Sequence, residues 1–375
     1  MNLFSEIYNL MMALKTSTSQ KTASTNVLSE NVVFTVCDNQ INPMKFRLTV
    51  LLIFLFCPVK EAAAQDASEL DDIFDIGTIQ SLMIQKEGEL IYEDYRYGME
   101  ANDPVNIKSA SKSVLSLLIG IAIEKGYLDG TDQTIGEFFA EYFMENPDSI
   151  KENITIGNLL TMQSGLETTS FRNYGRWVLS SNWVNFALDM PLSDKPGGEM
   201  LYSTGTSHLL SVILTKAAGM STRAFANEYL FEPMDIEVGG WDRDPQGYYM
   251  GGNNMALSPE SLLKIGTMVM NVGTYNDKQI VSKEWILESV RVYTRSRYNP
   301  YNYGYMWWRK PVGDYQLFFA WGNGGQYILI FPELETVVSV TSDLGRSNGS
   351  RRYQDRFFDY VENTLVPYIE TGDMF

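Results

Sequence analysis

A single histidine, His208, is all the imidazole this 375-residue chain possesses. A zinc hydrolase built on several histidine ligands is therefore out of reach, although a site made of carboxylates alone is not formally excluded. A Ser-His-Asp triad would have to use His208, and no G-x-S-x-G elbow is present to supply its nucleophile. The nearest approach, Gly205-Thr206-Ser207, lacks the flanking pattern. His208 reads instead as a satisfied histidine on a helix face. Runs of lysine and arginine are also missing, and the formal net charge is −17. Such a surface would be repelled by a phosphate backbone, which argues against a nucleic-acid partner. No apolar run reaches the ~20 residues a helix needs to span a bilayer.

The cysteines number two, Cys37 and Cys57, and both precede residue 65. Residues 1–43 are rich in Ser, Thr and Asn without sustained periodicity and read as an unstructured upstream extension. Met44-Lys45-Phe46-Arg47 then gives a basic start, 48–56 a short apolar run, and Ala62-Ala63-Ala64 a small-residue site before Gln65. That succession describes a secretory signal peptide over 44–64. The expected product is an exported chain, periplasmic or secreted, comprising residues 65–375, with no thiol or disulfide and no stable membrane insertion. Lipid anchoring at Cys57 is disfavoured because bulky Phe56 precedes it.

What remains is patterned as a globular enzyme, 45% hydrophobic and 13% aromatic. Residues 80–86 and 89–97 are extended and joined by Glu87-Gly88, a hairpin signal. Residues 109–125 form a helix with no polar face over its apolar stretch, hence a buried one. From 127 to about 260 helices and loops dominate: one helix starts at 155–160, another covers 207–218, and a third opens on Ser258 as N-cap with Pro259 at its first position. Strand patterns return at 303–309, 315–321, 326–331 and 336–342, and a last helix covers 353–365. The fold class is therefore α/β in the α+β sense: an antiparallel sheet from both ends of the chain, flanked by helices, with a mostly helical subdomain inserted.

Three segments carry chemistry. Ser109-Ala110-Ser111-Lys112 is a Ser-x-x-Lys motif at the head of the buried helix, and its spacing puts both side chains on one face, ~5–6 Å apart at Cβ. A lysine withdrawn from water beside polar groups can titrate near ~7–8, as a general base requires. Alone the motif is equally compatible with ordinary helix capping. Tyr202-Ser203-Thr204 follows the turn-forming Pro196-Gly197-Gly198. Tyr202 becomes a usable proton carrier only beside a cation, for which Lys112 is the candidate; otherwise it is a core tyrosine. Trp321-Gly322-Asn323-Gly324-Gly325-Gln326 leads into a strand. Its glycines could free amides for an oxyanion or simply make a turn.

In this order and at these separations the three segments resemble the serine β-lactamase and penicillin-binding superfamily, in its branch of class C β-lactamases, related esterases and 6-aminohexanoate-dimer hydrolases. The resemblance covers roughly residues 76–345. It includes the stretch from Ile154 to Leu166, Gly251-Gly252-Asn253-Asn254 through Pro259, and Tyr303-Gly304-Tyr305-Met306-Trp307-Trp308. It implies a β-lactamase-like fold with Ser109 as nucleophile, Lys112 as base and Tyr202 as proton shuttle. Asn323, Gly324, Gly325 and Gln326 would lie at the substrate and oxyanion side, and no metal or cofactor is implied. Two departures matter: Thr204 stands where true β-lactamases have Asn, and Asn323 (or Gly322, if the register slips by one) stands where they have a lysine. Losing that lysine removes a charge-assisted bond to an anionic substrate.

The expected function is a serine hydrolase that forms an acyl-enzyme on Ser109 and cleaves small esters or amides, linear ω-amino-acid amides included. The alternatives are a β-lactamase or D-alanyl-D-alanine carboxypeptidase-like enzyme, or a non-catalytic sensor on the same fold. The partner is a small molecule rather than a nucleic acid. Amino-terminal sequencing of the exported protein is expected to find Gln65 within a few residues; an intact 1–64 segment on the exported chain would refute the leader assignment.

Overall fold

The computed structural model describes residues 70–343 and 351–371. The leader, its cleavage site and both cysteines lie outside the described residues. Among the described residues no helix is long and apolar enough to cross a membrane.

The expected hairpin forms from β1 (Ile79–Lys86) and β2 (Glu89–Tyr95), turning at Glu87 and Gly88, both with positive φ. Helix α1 (Ser111–Glu124) is buried along nearly its whole length, as its unbroken apolar sequence requires. Helix α2 (Thr204–Ala218) starts three residues earlier than expected, because the Ser203 hydroxyl accepts the Thr206 amide and caps it. Helix α3 (Pro259–Met270) is capped by Ser258 with Pro259 in its first turn. Helix α4 (Lys283–Ser289) adds to the helices expected from the sequence.

The other strands of the main sheet are β3 (Thr294–Arg295), β4 (Asn302–Tyr303), β5 (Trp308–Val312), β6 (Tyr315–Gly322), β7 (Gln326–Phe331) and β8 (Thr336–Ser342). They form one eight-stranded sheet in the order β2-β1-β8-β7-β6-β5-β4-β3. Every pairing in it is antiparallel, with Ile79 opposite Ser342 joining the two ends of the fold. The single strand expected over 303–309 is instead a hairpin, β4 and β5, turning at 304–307. There the Tyr305 and Met306 amides leave the ladder for the Ser289 and Leu160 carbonyls, and Met306 takes φ +62°.

Helices cover both faces of the sheet. Consecutive strand residues face opposite sides. On β7, Tyr327 stacks on Phe357 of α5 (Arg351–Tyr360), with ring centroids 4.2 Å apart. Its neighbour Ile328 meets α3 on the other side, where a Cβ on Gly266 would lie 2.8 Å from the Ile328 side chain. The chain from α5 stays helical to Thr371, beyond the expected end at 365. Between Tyr127 and Pro259 lie helices, turns and only short strand segments, the longest being Ala256–Leu257 paired with Val105–Asn106.

Helix α1 is held against α4 by a close approach. The Trp285 indole donates to the Ser116 carbonyl at 3.0 Å, and its ring lies over Gly120, where a Cβ would sit 2.2 Å from it. Gly120→Ala is therefore expected to cost about 1–3 kcal/mol through overpacking, read as a lowered Tm; an unchanged Tm would contradict this packing.

Candidate active site

The Ser-x-x-Lys motif begins one turn before α1. Ser109 lies in a 3₁₀ turn, Lys108–Ala110, that leads into the helix, rather than in the helix itself. Lys108 has φ +50°, and its carbonyl accepts the Ser111 hydroxyl at 2.7 Å. Non-glycine residues in the left-handed region are costly and persist where surrounding structure fixes them, commonly at functional sites. The turn also packs tightly against β6, where a Cβ on Gly322 would lie 2.1 Å from the Ile107 carbonyl oxygen.

Lys112 is 1% exposed and has no carboxylate beside it. Its Nζ donates to the Gly252 carbonyl at 2.6 Å, and lies 3.3 Å from both the Ser109 and Thr204 hydroxyls. Burial favours the neutral amine and lowers its pKa to about 7. Half-buried Ser109 thus sits within reach of an amine that is substantially unprotonated at neutral pH.

Tyr202 joins them. Lys112 Nζ lies 5.0 Å from its ring centroid, and a hydrogen bond links its hydroxyl to Ser109. Burial outweighs that bond and pushes Tyr202 up to about 12. Burial thus acts on both groups in the same sense, driving Lys112 towards the neutral amine and holding Tyr202 as a neutral hydroxyl. Its backbone is fixed by the stretch that follows Ile154. Thr155 and Asn158 form a capping box, the Met162 carbonyl accepts the Leu201 amide at 2.8 Å, and Gln163 Nε2 donates to the Gly198 carbonyl at 2.5 Å. Thr168 adds a 2.6 Å hydroxyl bond to the Tyr202 carbonyl.

The third segment forms the turn of the β6–β7 hairpin, with Gly322 opposite Gln326. Asn323 is exposed at its tip, while Gly324 and Gly325 adopt φ +91° and +100°. The Gln326 side chain is committed elsewhere, donating to the Ser342 carbonyl at 2.8 Å and accepting its amide at 3.2 Å. Only its main chain is left to serve an oxyanion.

Three contributors escaped the sequence reading. Thr204, noted there only as a departure, bonds Lys112 and is tied to Ser170 at 3.0 Å. Gly252 supplies the shortest bond to the amine, and its missing Cβ matters, since one would lie 2.3 Å from Lys112 Cγ. The third is an aromatic rim beside Tyr202. Trp308 stacks on it at 5.9 Å, and Phe171, at φ +53° and 61% exposed, lies 6.4 Å away and 5.2 Å from Tyr298. The adjacent glycines 251 and 252 were a visible signal for the second, and the place of Thr204 two residues after Tyr202 was one for the first; nothing in the local sequence marks Phe171. Among the described residues no group of three or more His, Cys, Asp or Glu is gathered to hold a metal ion.

A family model described as Beta-lactamase matches residues 80–359, which spans all three segments. The chain belongs to the Beta-lactamase family. Within it the chain is similar to 6-aminohexanoate-dimer hydrolase of Paenarthrobacter ureafaciens, 20% identical over 249 residues, covering 61% of each protein. The chain thus spans 61% of the length of that curated relative. Among solved structures, a proposed 6-aminohexanoate-dimer hydrolase from Bacillus anthracis superposes with a TM-score of 0.65 at 18% identity, covering 80% of this chain and 82% of that one. EstCE1, a hydrolase with promiscuous acyltransferase activity, gives 0.63 at 16% identity, covering 81% and 100%. At such identities the likeness of structures speaks for the fold alone. This Beta-lactamase-family chain has the β-lactamase fold.

A base that titrates near 7 must lose activity on acidification, because the protonated amine cannot accept the serine proton. The kcat/KM profile is expected to rise with pH through an apparent pKa of about 7, with Tyr202 adding no limb in the neutral range. A profile flat from about pH 5 to about pH 9 would exclude Lys112 as the base.

Proposed function

We propose that this protein is a serine hydrolase acting through an acyl-enzyme on Ser109, with small esters or amides as substrates. The observation that carries the reading is the buried, carboxylate-free setting that leaves Lys112 near neutrality 3.3 Å from the Ser109 hydroxyl. Ser109 Oγ attacks the substrate carbonyl and its proton passes to Lys112 Nζ. The resulting alkoxide collapses, the bond to the leaving oxygen or nitrogen breaks, and Tyr202 gives that atom its proton while taking one back from Lys112. Water then adds to the acyl-enzyme, the same groups remove its proton, and Ser109 is released with the acid product. Main-chain amides of Ser109 and of the 323–326 turn hold the oxyanion in this reading.

Substrate preference follows from what surrounds these groups. Asn323 is neutral where a β-lactam carboxylate would need a cation, whereas exposed Phe171 and Tyr298, with half-buried Tyr202 beside them, offer apolar ring surface. Substrates with an uncharged, extended or aromatic portion fit best: simple esters, and linear amides such as those of ω-amino acids. The similarity to 6-aminohexanoate-dimer hydrolase supports the same choice.

Ser109→Ala is expected to abolish covalent labelling and turnover. Lys112→Ala and Tyr202→Phe should each lower kcat by roughly 10²–10⁴, and the double variant should be little worse than the poorer single one because the groups act as a unit. In the same assays p-nitrophenyl esters should give a higher kcat/KM than nitrocefin. Full turnover by Ser109→Ala would end the acyl-enzyme reading, and a preference for nitrocefin would end the substrate assignment.

A further inference from the structure

The one histidine lies one residue away from the carbonyl that holds Lys112, in contact with the peptide before it. His208 is fully buried in α2, with the rings of Trp177 and Trp183 edge-on at 5.8 and 5.7 Å. Its Nδ1 accepts the Gly251 amide at 3.2 Å. An accepting Nδ1 carries no proton, so the hydrogen resides on Nε2, which donates to Asp244 Oδ2 at 2.9 Å. The other oxygen of Asp244 accepts the Gln246 and Tyr248 amides at 2.9 and 2.8 Å. The carboxylate therefore has partners on both sides and fixes the tautomer.

The Gly251 residue is gripped from two directions. His208 takes its amide, and the Ser207 hydroxyl shares its one hydrogen between the Gly251 carbonyl at 2.8 Å and the Thr204 carbonyl at 2.9 Å. Contact with α2 is so close that a Cβ on Gly251 would lie 2.4 Å from the Ser207 carbonyl oxygen. The next carbonyl along the chain, that of Gly252, receives Lys112 Nζ at 2.6 Å. Asp244 pairs with the imidazole, and the helices Tyr174–Val178 and Trp183–Asp189 lay the rings of Trp177 and Trp183 against it.

We propose that His208 is a positioning residue for Lys112, acting through the Gly251 and Gly252 peptides, with Asp244 holding it in the accepting tautomer. The proposal rests on the reading of Lys112 as base. It gives the histidine no part in proton transfer with substrate; its task is to keep one carbonyl aimed at the amine. If that carbonyl moves, the charged form of Lys112 loses its shortest hydrogen bond, and its pKa falls further.

Two near-isosteres separate this role from packing. An asparagine places its amide oxygen close to the position of Nδ1 and can still accept from Gly251, while losing Asp244. A glutamine places its amide nitrogen close to Nε2 and can still donate to Asp244, while losing Gly251. His208→Gln is expected to lower kcat/KM by about tenfold or more, and to move its acidic limb to lower pH by roughly half a unit or more. His208→Asn should keep the limb in place even where its Tm falls. Ser207→Ala removes the other half of the grip and should move the limb in the same direction as His208→Gln, which keeps the test open if that variant folds poorly. A limb unmoved in both His208→Gln and Ser207→Ala, or moved equally by His208→Asn, would overturn the proposal. Ser109→Ala in the same series separates the two readings: full turnover there refutes the acyl-enzyme itself, whereas loss there with an unmoved limb refutes only the positioning role.

Discussion

An amine without a counter-ion is the constraint around which this fold is arranged. Lys112 is delivered to the interior by a helix with no polar face, and a charge there would need a partner. A carboxylate would satisfy the ammonium and raise its pKa, leaving a group unable to accept a proton. The structure instead offers three neutral oxygens, from Ser109, Thr204 and Gly252, drawn from three separate stretches of chain. Each stretch must arrive accurately. Thr204 comes on the first turn of α2 with Ser170 behind it, Gly252 on a loop pressed against Ser207, and Ser109 on a strained turn wedged against Gly322.

The same economy of charge governs the substrate side. Tyr202 is kept neutral, Asn323 is uncharged, and the surface beside them is aromatic. An exposed phenyl ring on a left-handed residue, as at Phe171, has a backbone cost that solvent exposure does nothing to offset. Contact with an apolar substrate would supply the missing compensation.

Much of this was legible in the residue order. The hairpin of β1 and β2, the buried α1, the Ser258 cap and the strands β7 and β8 follow from periodicity and turn chemistry that act over a few residues. Ser109, Lys112 and Tyr202 were legible as a set because their types and separations together are uncommon, though each alone is ordinary. What stayed hidden depends on contacts between distant segments. The break at 304–307 arises because amides there bond Ser289 and Leu160, which no local pattern reports. Gln326 reads as a polar residue near a site, yet Ser342 takes both ends of its amide. His208 reads as a helix-face histidine, yet it is enclosed by two tryptophans and paired with Asp244, which lies on a separate stretch of chain.

The sheet has a temporal consequence. Strand β1 lies between β2, its neighbour in the chain, and β8, which ends at Ser342. During synthesis, therefore, the amino-terminal hairpin waits with one edge unpaired until almost the whole polypeptide has been made, and pairings of such long sequence separation form slowly. The turn bearing Ser109 rests against β6, which is also a late arrival. A ribosome-bound chain can hold Ser109 and Lys112 on one turn and the helix that follows it and still lack the strand that packs against them. The strand that walls this group of side chains is thus among the last pieces to close the fold.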